Sequence, residues 1–334
     1  MVTLSEPALP AKQEQQHFLD LDGLRGVLAL AVVLLHLGFN SFVERQFGWK
    51  GFRFELCVDV FFLLSGYVLT HAARRGVRPG VFFARRFLRL APVFYVTTLV
   101  TMLATPNSWN PLELLMAMPF IGQDPTNFPA WSVSWEFFIP VVAVLVPLRL
   151  PDRAVRPLLL IALIALGIAD FSMTGGERLY FVRAVCGLLA GHLLYRAKLS
   201  LALPLLPLFV ALGLVMALAA YFPAPAFALP FVAAMCVLSG RNGGSIFAGA
   251  PFQFLGALSY TIYLAHIPVL RLLQQGVGPA IDANPLAKMA ALAGTFAFAW
   301  LLTTLVERPA MRIGSSIGRQ SGTTSPLGEA GGRA

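Results

Sequence analysis

Arg25 and His36 are polar residues at the two ends of the first long apolar run of the chain. In a helix that turns about 100° per residue, their eleven-residue separation places both on one face, and Asp22 falls on roughly that face too. At about 1.5 Å per residue, Arg25 and His36 lie about 16 Å apart along the axis. An imidazole within a membrane is costly without a partner, so the pattern favours a functional role for His36. A packing histidine that bonds a neighbouring helix is the alternative.

Composition predicts a membrane protein that is all-α. Of the 334 residues, 57% are hydrophobic and only 12% are charged, about half the charged share of a typical soluble domain. The formal net charge is +9, but the basic residues lie mostly in short loops between apolar runs, which indicates membrane topology and no nucleic-acid partner. We predict a polytopic transmembrane helical bundle with about ten spans. The spans are 22–42, 56–73, 87–105, 131–149, 157–173, 179–196, 200–221, 224–240, 251–271 and 286–306.

The distribution of lysine and arginine predicts that both termini are cytosolic, since most of the 25 cationic residues then face the inner side. We divide the chain into a cytosolic N-terminal segment (1–17), a membrane domain (18–312) and a disordered cytosolic tail (313–334). Glu307-Arg308-Pro309 is predicted to end the last span, because proline stops a helix.

The loop 74–89, RRGVRPGVFFARRFLR, holds six arginines on the predicted cytosolic side. Guanidinium groups suit bidentate phosphate recognition, so a cytosolic ligand that carries phosphate is one interpretation, with Arg85, Arg86 and Arg89 among its contacts. The other interpretation is a positively charged anchor that touches anionic membrane lipids.

Glu136 is a carboxylate in the fourth predicted span, which opens WSVSWEFF with two tryptophans typical of an interfacial belt. Counted from the outer boundary, Glu136 and His36 have similar depths. We therefore predict a carboxylate–imidazole pair, in which Glu136 orients the ring of His36 and increases its basicity. The alternative is that Glu136 pairs with an arginine such as Arg183.

Two further spans carry polar residues. Asp59 in the second span needs a partner, and Ser65-Gly66 allows another helix to approach closely. In the ninth span, Ser259, Tyr263 and His266 form one polar stripe that must face the bundle interior. His266 is the weaker catalytic candidate of the two histidines.

Several segments together resemble the acyltransferase 3 family of bacterial integral membrane O-acyltransferases. The segments occur in order as DGLRG with ten residues between Arg25 and His36, DVFFLLSGY, RRFLRLAP, WSVSWEFF, LGALSYTIYLAH and ERP. They extend over roughly residues 18–312. Two features depart from the family pattern: Tyr67 replaces the usual phenylalanine, and Phe137 and Phe138 replace a second acidic or aromatic residue.

The resemblance implies transfer of an acyl group, commonly acetyl, from cytosolic acyl-coenzyme A to a hydroxyl of an extracytoplasmic acceptor. Acceptors in the family are glycans, lipid-linked saccharides or small molecules, and the location is the bacterial cytoplasmic (inner) membrane. Acyl-coenzyme A is a co-substrate, and no tightly bound cofactor or metal is expected. The family's site residues carry over to Arg25, His36, Glu136, Ser259 and Tyr260, and we add Ser65 and Asp22 as candidate binding residues.

His36 has two possible roles in this reaction, as general base on the acceptor hydroxyl or as a covalent acyl relay. Another class of function, a transporter or flippase of a saccharide or lipid-linked precursor, would use the same intramembrane charges as a substrate path. A non-catalytic scaffold would not require Arg25 and His36 on one face.

Overall fold

The computed structural model describes residues 2–4, 11–73, 78–106, 108–116, 126–145, 150–172, 179–239, 245–277 and 284–317. Helices dominate these residues, and one short antiparallel pair, β1 (Val2–Leu4) with β2 (Leu199–Leu201), joins the N-terminus to the middle of the chain. The helices are α1 (Ala11–His36), α2 (Phe39–Phe47), α3 (Cys57–Ala73), α4 (Pro79–Leu103), α5 (Pro111–Met116), α6 (Ala130–Leu145), α7 (Asp152–Ser172), α8 (Tyr180–Arg196), α9 (Leu205–Ala219), α10 (Leu229–Ser239), α11 (Ala250–Val277), α12 (Pro285–Leu302) and α13 (Arg308–Ser316).

The chain is an all-α multi-pass membrane protein. Within the described residues, 5 helical segments are long and apolar enough to cross a membrane, and there are up to 6 if α1 and α2 form one bent span. The bend between α1 and α2 is 68° and falls at Gly38, whose φ of 70° is a left-handed conformation that favours glycine. The ten predicted spans and the cytosolic placement of both termini stay predictions.

The ends of several helices differ from the predicted boundaries. Helix α1 begins at Ala11, so part of the segment 1–17 is helical. The predicted arginine loop is also shorter, because α4 begins at Pro79 and includes Arg85, Arg86 and Arg89. Proline suits the first turn of a helix, where its missing N–H has no helical partner. Residues 74–77 lie outside the described part of the chain.

The last predicted span does not end at Glu307-Arg308-Pro309. After α12, a π-helical segment covers Thr303–Glu307 and continues directly into α13. Pro309 lies in the first turn of α13, a position that proline tolerates, so the prediction of a stop was wrong. Helix α13 also extends four residues into the predicted tail 313–334, and residues 318–334 lie outside the described part.

Close backbone contacts at glycines hold the bundle together. Helices α1 and α11 pack along their lengths, and a Cβ on Gly26 would lie 2.5 Å from the backbone nitrogen of Gly256. Helices α3 and α8 meet in the same way, since Gly66 faces the backbone of Leu188 and Gly191 faces the backbone of Leu63. The predicted close approach at Gly66 is therefore confirmed.

We expect Gly191→Ala to lower the free energy of unfolding by about 1–3 kcal/mol, because the new methyl group overlaps the carbonyl oxygen of Leu63 on α3. Gly213→Ala in α9 is the matched control, since a Cβ there meets nothing within 4 Å. Without a clash, alanine stabilises a helix by about 0.5–1 kcal/mol relative to glycine. Denaturation of both variants in the same detergent measures the two effects, and an equal change in both would contradict the packing argument.

A buried ionic triad links α3, α7 and α8. The guanidinium of Arg183 donates from Nε to Asp59 Oδ1 at 2.8 Å and from Nη2 to Asp59 Oδ2 at 2.5 Å. Asp170 Oδ1 lies 3.9 Å from Arg183 Nε, and all three side chains are at most 2% exposed. The partner that Asp59 requires is thus Arg183, which leaves Arg183 engaged away from Glu136.

Candidate active site

Glu136 joins three helices through its side chain and its backbone. Ser65 Oγ on α3 donates to Glu136 Oε1 at 2.8 Å, and Arg86 Nη2 on α4 lies 3.6 Å from the same oxygen. Arg86 Nε also donates to the backbone carbonyl of Glu136 at 3.1 Å, and Nη2 donates to that carbonyl as well. Pro140 follows in the same helix and cannot donate an N–H to this carbonyl, so the carbonyl is available to Arg86.

A cavity of about 30 Å³ lies beside Glu136. Its lining comes from four helices: Arg25 of α1, residues 58, 61 and 62 of α3, residues 132, 133 and 136 of α6, and residues 259, 260 and 263 of α11. A cavity of this volume holds a group the size of a water molecule. The structure therefore brings Arg25, Glu136, Ser259 and Tyr260 together, as predicted for one site, with the helices closely packed around them.

The guanidinium of Arg25 has a free donor at this cavity. Its Nε is buried and has no hydrogen-bond partner among the described residues. Glu136, Glu307 and Asp22 attract its charge and Arg89 repels it. A buried donor that lacks a partner is costly, so this position favours a ligand atom that accepts a hydrogen bond.

The remaining predicted binding residues divide between the cavity and its support. Tyr260 donates its hydroxyl to the carbonyl of Leu90 at 2.5 Å, which ties α11 to α4. Ser259 lines the cavity and bonds the carbonyl of Gly256 in its own helix at 2.8 Å. Asp22 and Arg89 are exposed.

Arg85 is placed away from the cavity. It donates to the carbonyls of Gly314 at 3.3 Å and Ile317 at 3.1 Å and so holds the end of α13 against α4. The carbonyl groups at a helix C-terminus lack helical partners, and a guanidinium supplies them with donors. The contacts of Arg85 in the structure are therefore structural.

His36 contacts a second histidine at the end of α1. The ring centroids of His36 and His266 are 5.0 Å apart, and Phe128 lies edge-on to His36 at 6.2 Å. Tyr263 connects this pair to the cavity, since its ring lies 6.2 Å from His266 and its hydroxyl is 2.9 Å from Ser132 Oγ. The stripe of Ser259, Tyr263 and His266 is buried as predicted.

The predicted contact between His36 and Glu136 is not formed. Glu136 lies beside Tyr260, whereas His36 lies beside His266, six residues and about 9 Å farther along α11. The prediction assumed that α6 enters the membrane at Trp131, but Trp131 is 9% exposed and stacks on Tyr180 at 4.2 Å. The first five residues of α6 are buried inside the protein, so Trp131 does not mark a boundary from which the position of Glu136 can be counted.

Two residues of the site are more prominent in the structure than in the sequence prediction. The sequence favours His36 over His266 as the catalyst, and at Glu307 it indicates only a helix end. Glu307 is 5% exposed, its Oε2 has no hydrogen-bond partner within the described part of the chain, and it interacts electrostatically with Arg25 and Arg89. The sequence signal for a site residue here is a carboxylate at the end of a long apolar run. Pro309 two residues later favours the simpler interpretation that the helix ends.

Three known proteins are similar to parts of this chain. Acyltransferase MdmB of Streptomyces mycarofaciens is 34% identical over 139 residues, which are 35% of this chain and 36% of that protein. Protein 2 in the picA locus of Rhizobium radiobacter is 42% identical over 94 residues, 27% of this chain and 46% of that protein. Peptidoglycan O-acetyltransferase OatA of Listeria monocytogenes serovar 1/2a is 34% identical over 89 residues, 25% of this chain and 13% of that protein. The similarity thus spans less than half the length of each relative, and no solved structure matches the chain.

The family comparison covers far more of the sequence. The family model described as Acyltransferase domain matches residues 18–304, which include α1 with Arg25 and His36, α6 with Glu136 and α11 with His266. The resemblance found in the motifs is confirmed, and the chain belongs to the acyltransferase 3 family.

Proposed function

We propose that this protein transfers an acyl group, in the first instance acetyl, from cytosolic acyl-coenzyme A to a hydroxyl of an extracytoplasmic carbohydrate or lipid-linked saccharide. The proposed location is the bacterial cytoplasmic membrane. Family membership supports acyl transfer, and the name of the relative OatA, a peptidoglycan O-acetyltransferase, supports oxygen as the acceptor atom and a carbohydrate as the acceptor class.

The observation that carries this proposal is the continuous row of polar side chains between Arg25 and His36. Arg25, Tyr260 and Tyr263 line the cavity, and Tyr263 leads to His266 and then to His36. Arg25 and His36 are about 16 Å apart along α1, a length comparable to that of a pantetheine arm. In this scheme the phosphate groups of the donor lie near Arg25 and the thioester extends towards His36. The helices around the cavity separate to admit the arm, because the cavity itself holds only a group the size of a water molecule.

In the proposed reaction, His36 removes the proton from the acceptor hydroxyl as its oxygen attacks the thioester carbonyl. The new ester C–O bond forms, the C–S bond breaks, and the thiolate of coenzyme A takes the proton from the imidazolium. General-base catalysis of this kind contributes about 10²–10⁴-fold. The acyl-imidazole relay is the second form of the mechanism, and trapping of an acylated His36 in the absence of acceptor distinguishes it from the first.

Glu136 has a different proposed role from the one predicted. Its contacts with Ser65 and Arg86 hold α3, α4 and α6 around the cavity, and its charge offsets those of Arg25 and Arg86. Glu136 therefore acts on the donor side of the reaction, where it keeps the two guanidinium groups in position. Arg86 also has a positioning role, because its contacts with Glu136 hold α4 against α6.

We expect Arg25→Ala to raise the KM for acetyl-coenzyme A by about 10- to 100-fold, because a hydrogen bond to a charged group contributes about 1.5–3 kcal/mol. The assay supplies labelled acetyl-coenzyme A on the cytosolic side of membrane vesicles and counts label in the glycan and small-molecule fractions. Arg196→Ala is the matched control, since Arg196 bonds Asp152 at 3.2 Å and the carbonyl of Leu150 at 2.7 Å.

The two arginine variants separate donor binding from loss of surface charge. An equal rise in KM for both would contradict the assignment of Arg25, because both substitutions remove one cation. Transfer of label from a different acyl donor, with none from acetyl-coenzyme A, would contradict the proposed donor.

A further inference from the structure

His266 is a fully buried imidazole that packs against His36. It is 0% exposed, and the two ring planes are inclined by 35° at a centroid distance of 5.0 Å. The two histidines belong to α1 and α11, which pack together along their lengths. The packing of these two helices therefore holds the two rings next to each other.

The hydrogen bonds of His266 define its tautomer. Its Nδ1 lies 3.4 Å from the carbonyl oxygen of Ile262, and a carbonyl oxygen only accepts a hydrogen bond. Nδ1 therefore carries the hydrogen, and Nε2 carries a lone pair. Nε2 is buried and has no hydrogen-bond partner among the described residues. A buried acceptor without a donor is costly, so this nitrogen is expected to gain a donor at some stage of the reaction.

Aromatic side chains contact the two rings, and an amide side chain precedes Phe128 in the sequence. Phe128 lies beside His36, and Tyr263 lies beside His266. Asn127 donates from Nδ2 to the carbonyl of Leu264 at 3.1 Å, and its Oδ1 is buried without a partner among the described residues. The carboxylate predicted for this position, Glu136, lies about 9 Å farther along the helix. His36, whose ring centroid lies 5.0 Å from that of His266, can supply a donor to Nε2.

We propose that His266 is a positioning residue for His36: during the reaction the partly exposed ring of His36 turns so that one of its nitrogens donates a hydrogen bond to the unpartnered Nε2 of His266, which leaves the other nitrogen free to act as the base. This inference rests on the proposed function. It gives the neutral imidazole of His266 the task that a carboxylate performs in other catalytic dyads, which is to select the tautomer and hold the ring.

The hydrogen bond matters most when His36 is protonated. As the acceptor oxygen bonds to the acyl carbon, its proton moves to the free nitrogen of His36, and the N–H directed at His266 becomes a charged donor. Charge-assisted hydrogen bonds are about twice as strong as neutral ones. His266 keeps its own proton throughout, and the proton on His36 passes to the thiolate of coenzyme A.

The test compares His266→Leu with His266→Gln in the vesicle assay. Leucine fills the space but removes the acceptor, whereas glutamine retains an amide oxygen near the position of Nε2. We expect His266→Leu to lower kcat by about 10–100-fold with KM for the donor unchanged, the range found when partners of a functional histidine are removed. His266→Gln should retain at least about tenfold more kcat than His266→Leu.

This order of activities separates positioning from packing. If His266 had only a packing role, leucine would be the better replacement at this buried site. The kcat of His266→Leu would then exceed that of His266→Gln. Thr261→Val is the matched control, because Thr261 is also buried in α11 but bonds Thr303 at 2.7 Å. It should keep the kcat of the wild type.

A parallel measurement on His36→Ala separates this inference from the proposed function. If His36→Ala loses transfer while His266→Leu keeps the wild-type kcat, the positioning role of His266 is wrong and the proposed function stands. If His36→Ala itself transfers acyl groups normally, the proposed function fails first. If both variants lose transfer and His266→Gln recovers it, both proposals are supported.

Discussion

Replacing His36 with alanine is expected to reduce acyl transfer by about 10²–10⁴-fold, the contribution typical of a general base. The donor contacts at Arg25 lie about 16 Å away along α1, so the KM for acetyl-coenzyme A should change little. His36 is partly exposed, and the substitution removes its ring contacts with His266 and Phe128. The measurement is the initial rate of label transfer in vesicles that contain equal amounts of inserted protein.

His71→Ala is the histidine control for this experiment. His71 lies on α3, where its Nδ1 is 3.1 Å from the hydroxyl of Tyr195 and its ring packs on Phe18. Both variants lose one imidazole, but only one of the two imidazoles is next to the proposed acceptor site. A rate for His36→Ala equal to that of His71→Ala would remove His36 from the mechanism.

Replacing Arg183 with leucine is expected to lower the free energy of unfolding by about 3–5 kcal/mol. Arg183 forms the ion pair with Asp59 and lies 3.9 Å from Asp170, and all three groups are buried, so the substitution leaves two acidic groups in an apolar environment without their cation. Breaking a buried ion pair on one side has an effect of this size because the remaining charge keeps its desolvation cost. Denaturation of purified protein in detergent measures the loss.

The exposed pair of Arg196 and Asp152 provides the comparison. The Asp152 side chain is 99% exposed, and water screens the interaction, so Arg196→Leu should lower the free energy of unfolding by about 1 kcal/mol or less. Similar losses in the two variants would show that burial does not determine the strength of the triad. Asp59→Leu should destabilise the protein less than Arg183→Leu, because Arg183 keeps Asp170 nearby.

The features that could be predicted from sequence are those fixed by local geometry. The common face of Arg25 and His36 follows from the helical repeat, and the close approach at Gly66 follows from the absence of a side chain. The burial of Ser259, Tyr263 and His266 follows from the cost of polar groups in lipid. Each of these arguments needs only one helix and its environment.

The features that were mispredicted depend on how helices are placed relative to one another. The depth of Glu136 was counted from Trp131, and tryptophan is as suitable for a stacked contact with Tyr180 as for a membrane interface. The partner of Arg183 among several carboxylates, and the contact of Arg85 with α13, depend on distances across the bundle. Charge and spacing alone do not give these distances.

The π-helical segment Thr303–Glu307 fixes the rotational alignment of everything that follows it. Its hydrogen bonds span one residue more than those of an α-helix, so the side chains beyond it are turned by about 100° relative to an uninterrupted α-helix. With this offset, Glu307 is directed inwards, and Gly314 meets α4 where Arg85 bonds its carbonyl. The segment therefore accommodates one extra residue: deletion of one residue within it would convert it to a regular α-helix and keep α13 in register, whereas rewinding it to an α-helix without a deletion would turn Glu307 out of the site and α13 out of register.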